Sequence, residues 1–185
     1  MSVTSSLKTY YINIAPDKKY PIIFGENAYL SISKKDLGDA TKVLIVTNDT
    51  IYDTHDEFFA TLEQHLDCDV EVFVLDDGES HKSLDSVSEI LNACISHDMG
   101  RKDVLIAVGG GVVGDLAGFA ASIYLRGIPL IQMPTSLLAQ VDAAIGGKTG
   151  ANHPNGKNLI GTFYQPIKTI IDPLLLATLP NDQMK

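Results

Sequence analysis

Long apolar runs are absent from this sequence. None reaches the ~18 residues that a membrane-spanning helix needs, so no such helix is expected. Met1-Ser2-Val3-Thr4-Ser5-Ser6 lacks the basic-then-apolar pattern of a secretory signal. Cysteine is scarce, with Cys68 and Cys94 alone. The two make no disulfide framework and suit a reducing compartment, so a cytoplasmic location is expected. Positive charge is in short supply: 14 Lys and Arg stand against 23 Asp and Glu, a net charge of −9. That balance argues against a nucleic-acid-binding surface. The histidines, His55, His65, His81, His97 and His153, form no H-x-x-x-H pair and have no C-x-x-C companion. A complete metal site within the chain is therefore not expected. No internal repeat or low-complexity linker divides the chain. What is present is 185 residues, 45% hydrophobic and 20% charged. That suits one folded domain with a core of its own.

The charge is uneven. Residues 116–171 hold Arg126, Lys148, Lys157 and Lys168 against Asp142 alone, while the rest of the chain is strongly acidic. Such an island attracts a small anionic ligand by raising the local potential. Chance placement of surface lysines produces the same count.

Alternation over residues 8–14 and a short apolar run over 20–24, with Pro16-Asp17 between them, read as a β-hairpin. Strands follow at 42–47, 70–75, 104–108, 128–133 and 168–171. Helical spacing falls at 50–67, at 83–98 with Leu84, Val87, Ile90, Leu91 and Cys94 on one face, from the glycines after 108 to about 123, and at 137–145. Residues 146–158 read as a long glycine- and asparagine-rich loop, and Pro173 as the start of a short helix. Strand and helix alternating through the middle predict an α/β fold: a Rossmann-like parallel sheet with helices on both faces, plus the N-terminal hairpin.

Gly109-Gly110-Gly111-Val112-Val113-Gly114 satisfies G-x-G-x-x-G between a buried strand and a helix. Glycines there let backbone approach a pyrophosphate, which the helix N-terminus accepts. A tight turn with close helix–strand packing uses the same residues. The acid that usually holds a ribose about 20 residues on is missing, since none lies between Leu116 and Val141, and Asp115 follows the last glycine directly. Other loops reach the same sheet edge, namely Asn48-Asp49, 77–82 and Thr135-Ser136. Glu79 suits ribose hydroxyls and Lys82 suits an anion, though an exposed helix lead-in has the same composition. Gly146-Gly147-Lys148-Thr149 follows a helix rather than a strand and lacks the first P-loop glycine, which excludes that motif. Lys148 and Lys157-Asn158 remain candidate phosphate or carboxylate donors. His81 and His153 are the two histidines placed near these groups.

Taken together, Asp77-Gly78-Glu79-x-x-Lys82, the glycine loop through Asp115, Arg126-Gly127, 134–142, Gly146-Gly147-Lys148-Thr149, 156–161 and Thr178-Leu179-Pro180 resemble the 3-dehydroquinate synthase family, in order and over nearly the whole chain. The resemblance implies conversion of 3-deoxy-D-arabino-heptulosonate 7-phosphate, a phosphorylated keto-acid, into 3-dehydroquinate and phosphate. It implies tightly held NAD and a divalent metal, zinc or cobalt. It also implies NAD contacts from Asn48, Asp77, Gly78, Glu79, Ser80, His81, Lys82, Gly111, Val112, Val113, Gly114, Asp115, Thr135, Ser136, Lys148, Lys157, Leu175, Leu176, Ala177 and Thr178. Asp142, Lys148 and Asn158 would meet substrate, and Arg126 would reach the phosphate in the neighbouring subunit of a homodimer. Ser136 and Ala144 stand where the family often has threonine and serine. Members run to roughly twice this length, with a helical second domain that carries the metal ligands. Residues 1–185 are accordingly expected to be the NAD-binding N-terminal domain, inactive alone. A related sugar-phosphate cyclase and a non-catalytic NAD-binding module are the alternatives.

Overall fold

A computed structural model describes residues 6–16, 18–180 and 184. Strands β1 (Lys8–Ala15) and β2 (Lys18–Phe24) form the expected hairpin; the turn residue Asp17 lies outside the described residues. A short helix, α1 (Lys34–Leu37), precedes β3 (Lys42–Asn48). Helices α2 (Asp49–Thr54) and α3 (Asp56–His65) lead to β4 (Asp69–Leu75), and α4 (Leu84–Ser96) leads to β5 (Val104–Gly109). Helix α5 (Gly111–Ile123) then runs back to β6 (Leu130–Pro134). A second hairpin, β7 (Lys148–His153) with β8 (Gly156–Phe163), precedes β9 (Lys168–Ile171).

Seven strands form one sheet in the order β1-β2-β9-β6-β5-β3-β4. All neighbours pair in parallel except β1 with β2. Every residue of β5 and β6 is buried, as the unbroken apolar runs require when both faces of a parallel sheet are covered. On one face Leu44, Val46, Leu105, Ala107 and Leu130 pack under α4 and α5. On the other, Val43, Ile45, Val104, Ile106 and Met133 pack under α3. The chain goes from β3 out to β4 and then crosses to β5 on the far side of β3. The strand order therefore reverses between β3 and β5, where open α/β sheets bind ligands at the carboxyl ends of the strands.

Several expectations are corrected. The helix predicted over 50–67 breaks at His55, whose φ of −129° and ψ of 37° are not helical. Leu84, assigned to the buried face of α4, is exposed. The sixth strand begins two residues later than expected, because Gly127 (φ 117°) turns the chain just before it. Residues 139–143 form a wide π turn, closed by Ala144 N–H donating to Ala139 O at 3.1 Å. Gln140 is buried there, its amide donating to Pro134 O (3.1 Å) and Asp172 O (2.9 Å). That turn shows solvent an apolar face, Leu138 and Val141.

The largest correction is at 146–158. These residues form the β7–β8 hairpin rather than a loop. Gly150 faces Gly161 across it, and a Cβ on Gly150 would run into the carbonyl oxygen of Ile160. The glycines thus serve close strand approach, not freedom. The hairpin lies against α5, where a Cβ on Gly118 would meet Thr149 Cγ2 at 2.5 Å.

Candidate functional site

The carboxyl edge of the sheet gathers most of the cofactor candidates. At the end of β3, the Asn48 side chain caps α2, its Oδ1 accepting Ile51 N–H at 3.0 Å. Its Nδ2 donates to Asp77 Oδ1 at 2.6 Å, and Asp77 Oδ2 accepts from Thr50 at 3.1 Å. The loops after β3 and β4 are thereby joined beside the switch point, on its β4 side. Next along the edge, the glycine loop opens α5. Gly110 caps that helix with no side-chain bond, and no acid lies in its first turn. The N–H groups of Gly111, Val112 and Val113 have no intrahelical acceptor, and the helix dipole adds partial positive charge. Thr135 follows β6, and its hydroxyl is buried without a hydrogen-bond partner. Ser136 accepts Ala139 N–H at 3.3 Å. After β9, Asp172 caps the turn Pro173–Leu176 through Leu174 N–H at 3.0 Å. Within that run Leu175 is buried, while Ala177 and Thr178 are exposed. Thr178 pairs with His55 Nε2 at 2.7 Å, a contact sequence patterns do not disclose.

A cavity of about 430 Å³ lies beside this edge, between α5 and the second hairpin. Its lining includes Asp115, Lys148, Thr149, Asn158 and Phe163. Lys82 is buried behind it, donating to Asp115 Oδ2 at 2.5 Å and to Asn158 Oδ1 at 2.6 Å. Burial pushes the Asp115 carboxyl above its ordinary range, against the opposing pull of Lys82. Lys148 pairs with Asp142 at 2.9 Å, both exposed. Lys157 stands 3.5 Å from Glu79. The Asn152 amide holds the Glu79 carboxyl below its usual range against the smaller, opposing effect of burial, with help from Lys157 and Lys82.

The cationic island does not form one patch. Lys168 is buried and paired with Asp36 at 2.7 Å. Arg126 sits after α5, at the amino end of the strands, opposite the glycine loop. Only Lys148 and Lys157 of the four join the cavity side, where Lys82 adds a third cation from outside the island. His81 lies 3.6 Å from Asp76. His153 Nδ1 accepts Asn155 N–H at 3.2 Å and so serves the hairpin turn. Among the described residues, no group of three or more His, Cys, Asp or Glu side chains is placed to hold a metal ion.

Two residues were missed by sequence reading, Thr149 and Asn152. A signal for the hairpin that carries them was present: Pro154-Asn155-Gly156 is a turn sequence between two strand-length runs.

The family model for the N-terminal region of 3-dehydroquinate synthase matches residues 72–185. The 3-dehydroquinate synthase of Crocosphaera subtropica is 47% identical over 167 residues, covering 89% of this chain and 46% of that protein. The chain thus spans about half the length of the curated relatives it matches. A solved 2-deoxy-scyllo-inosose synthase, complexed with carbaglucose-6-phosphate, NAD+ and Co2+, superposes with a TM-score of 0.86 at 29% identity, covering 95% of this chain and 49% of that one. The 2-epi-5-epi-valiolone synthase of Streptomyces hygroscopicus subsp. jinggangensis, with NAD+ and Zn2+ bound, gives 0.80 at 31% identity, over 95% of this chain and 49% of its own. A parallel sheet with a glycine loop at its switch point, and a family match running through that loop and the cavity residues, lead to one assignment: the chain belongs to the 3-dehydroquinate synthase family.

Proposed function

We propose that residues 1–185 are the NAD-binding N-terminal domain of a cytoplasmic 3-dehydroquinate synthase of the shikimate pathway. The whole enzyme would convert 3-deoxy-D-arabino-heptulosonate 7-phosphate to 3-dehydroquinate and phosphate, and would act as a homodimer. The observation that carries this reading is the position of Asp115. It belongs to α5, which the glycine loop opens, and its carboxylate lines the cavity. Cofactor loop and substrate space therefore meet on one helix.

Bound NAD would supply a hydride acceptor for the whole enzyme, the chemistry that transient oxidation of a substrate hydroxyl, loss of phosphate, re-reduction and aldol closure would require. The chain's own groups bind and orient. The free N–H groups that open α5 would donate to pyrophosphate oxygens, and Thr135, whose N–H bonds Gly109 O at 3.0 Å just before that helix, has an unpartnered hydroxyl to offer. Asn48 and Asp77, with the Leu175–Thr178 run, bound the adenosine and ribose side. Lys148 lends charge to an anionic substrate, and Asp142 and Asn158 meet its polar groups. Arg126, on the far edge, would serve the neighbouring subunit's phosphate site. The described residues gather no metal ligands, so no metal-dependent step is assigned to them, and the chain is expected not to turn over substrate alone.

Calorimetric titration with NAD tests the reading, beside a Gly111→Asp variant. A Cβ at Gly111 has only ordinary contact, 3.5 Å from the Ala143 Cβ, so the variant folds and places a carboxylate where pyrophosphate binds. Saturable binding that the variant loses is the expected result. Equal binding by both proteins would refute the glycine-loop site.

A further inference from the structure

Asn152 sits where the second hairpin departs from regular pairing. Ala151 pairs with Ile160 and His153 with Gly156. Asn152 alone therefore faces Lys157, Asn158 and Leu159. Bulges of this kind re-aim side chains beside functional sites. Asn158, inside the bulge, has a left-handed φ of 56°.

Asn152 makes three hydrogen bonds, two to the loop 77–82 and one to the bulge. Its backbone N–H donates to Lys82 O at 2.7 Å. Its Nδ2 donates to Glu79 Oε1 at 2.8 Å. Its Oδ1 accepts Asn158 N–H at 2.8 Å. The side-chain amide thus uses a donor on the loop 77–82 and its acceptor on the bulge. Asn158, held in this way, presents Oδ1 to Lys82 at 2.6 Å and lines the cavity. Beside Asn152, Lys157 lies 3.5 Å from the Glu79 carboxylate and is exposed, a weak tie at that distance and exposure, and Lys82 acts on it only through its charge.

We propose that Asn152 is a positioning residue that couples the 77–82 loop to the cavity-facing bulge, so that a change at Glu79 is felt at Asn158. In its functional consequence this rests on the cofactor reading above: NAD engaging the loop would stiffen Asn158 toward the substrate. The structural coupling itself does not need NAD.

Amide hydrogen exchange at Asn158, read by nuclear magnetic resonance, gives the test. Asn152→Ala is expected to speed that exchange about 5-fold, the loss of one ordinary hydrogen bond. Glu79→Gln replaces a charged acceptor with a neutral one and loosens Asn152, so it is expected to speed Asn158 exchange about 2-fold. In the Asn152→Ala background the same change at Glu79 is expected to do nothing. Asn152→Asp keeps the acceptor for Asn158 but sets a carboxylate against Glu79. Its effect on Asn158 exchange, relative to wild type at each pH, should fade as pH falls through the carboxylate range, a profile that simple packing would not produce. Equal Asn158 exchange in wild type and Asn152→Ala overturns the proposal, as does an equal effect of Glu79→Gln in both backgrounds. NAD is then added at saturation. Slower Asn158 exchange in wild type alone supports the functional consequence. An intact coupling cycle with no NAD binding at all overturns the cofactor reading and leaves the positioning role standing.

Discussion

The Lys82 ammonium faces two acceptors at 2.5 and 2.6 Å with almost no solvent around it. Burial already raises the Asp115 carboxyl, and Lys82 works against that rise. Lys82→Met would leave Asp115 buried without its cation. A buried pair broken on one side costs about 3–5 kcal/mol. The sign with pH follows from linkage. A carboxyl raised by folding takes up protons in the native state, so stability falls as pH climbs through and above the ordinary aspartate value. Thermal unfolding of Lys82→Met is thus expected to show a deficit at neutral pH that shrinks toward pH ~4. Asp103 behaves in the opposite sense. Burial works to raise it, but N–H donors from Gly100 (2.6 Å), Lys42 (2.9 Å) and Thr41 (2.9 Å) outweigh that and hold it low. Its stabilisation is present above the ordinary aspartate pKa and is lost as pH falls through the lowered value. Asp103→Asn should cost about 1–3 kcal/mol at neutral pH and flatten the acid limb of a stability–pH curve.

At the scale of elements, β7 and β8 owe their pairing to two facing glycines. A Cβ on Gly161 would strike the carbonyl of Thr149 and the Cα of Gly150. Gly161→Ala is expected to cost about 1–3 kcal/mol and to speed amide exchange across the hairpin while the large sheet stays protected. The inner strands of that sheet were readable because they are apolar, β-branched runs between turn residues, and β1 was readable from its alternation. Lys42–Asn48 and Val104–Gly109 are of this kind. The glycine loop was readable because its helix and strand flank it in sequence. The second hairpin was not, because its glycines imitate a loop in composition while their function is contact with a partner strand 11 positions away, Gly150 with Gly161. The π turn was hidden for a similar reason: Gln140 widens it by bonding Pro134 and Asp172, one near in sequence and one far. The charge island dissolved because Lys168 pairs with Asp36, a partner outside the island, and Arg126 lies at the opposite end of the strands.

Across the whole molecule, several large apolar side chains stand in full view of solvent, Leu159 and Phe163 in the cavity lining and Leu138 and Val141 on the π turn. Leu138, Val141, Leu159 and Phe163 are 69%, 65%, 64% and 77% exposed. Neighbouring apolar groups of this kind favour association. Sedimentation at rising concentration is expected to show self-association of this chain, and Leu159→Ser with Phe163→Ser to reduce it. The strand order carries a different consequence, for synthesis. Ile22 of β2 pairs with Thr169 of β9, so an early strand waits for one of the last. At ordinary elongation rates that wait is on the order of ten seconds. Throughout it the first hairpin, with Tyr10 and Tyr11 exposed even when folding is complete, has no sheet to join. Until β9 emerges to close the sheet, the sheet edge of the first hairpin is therefore open to aggregation during synthesis.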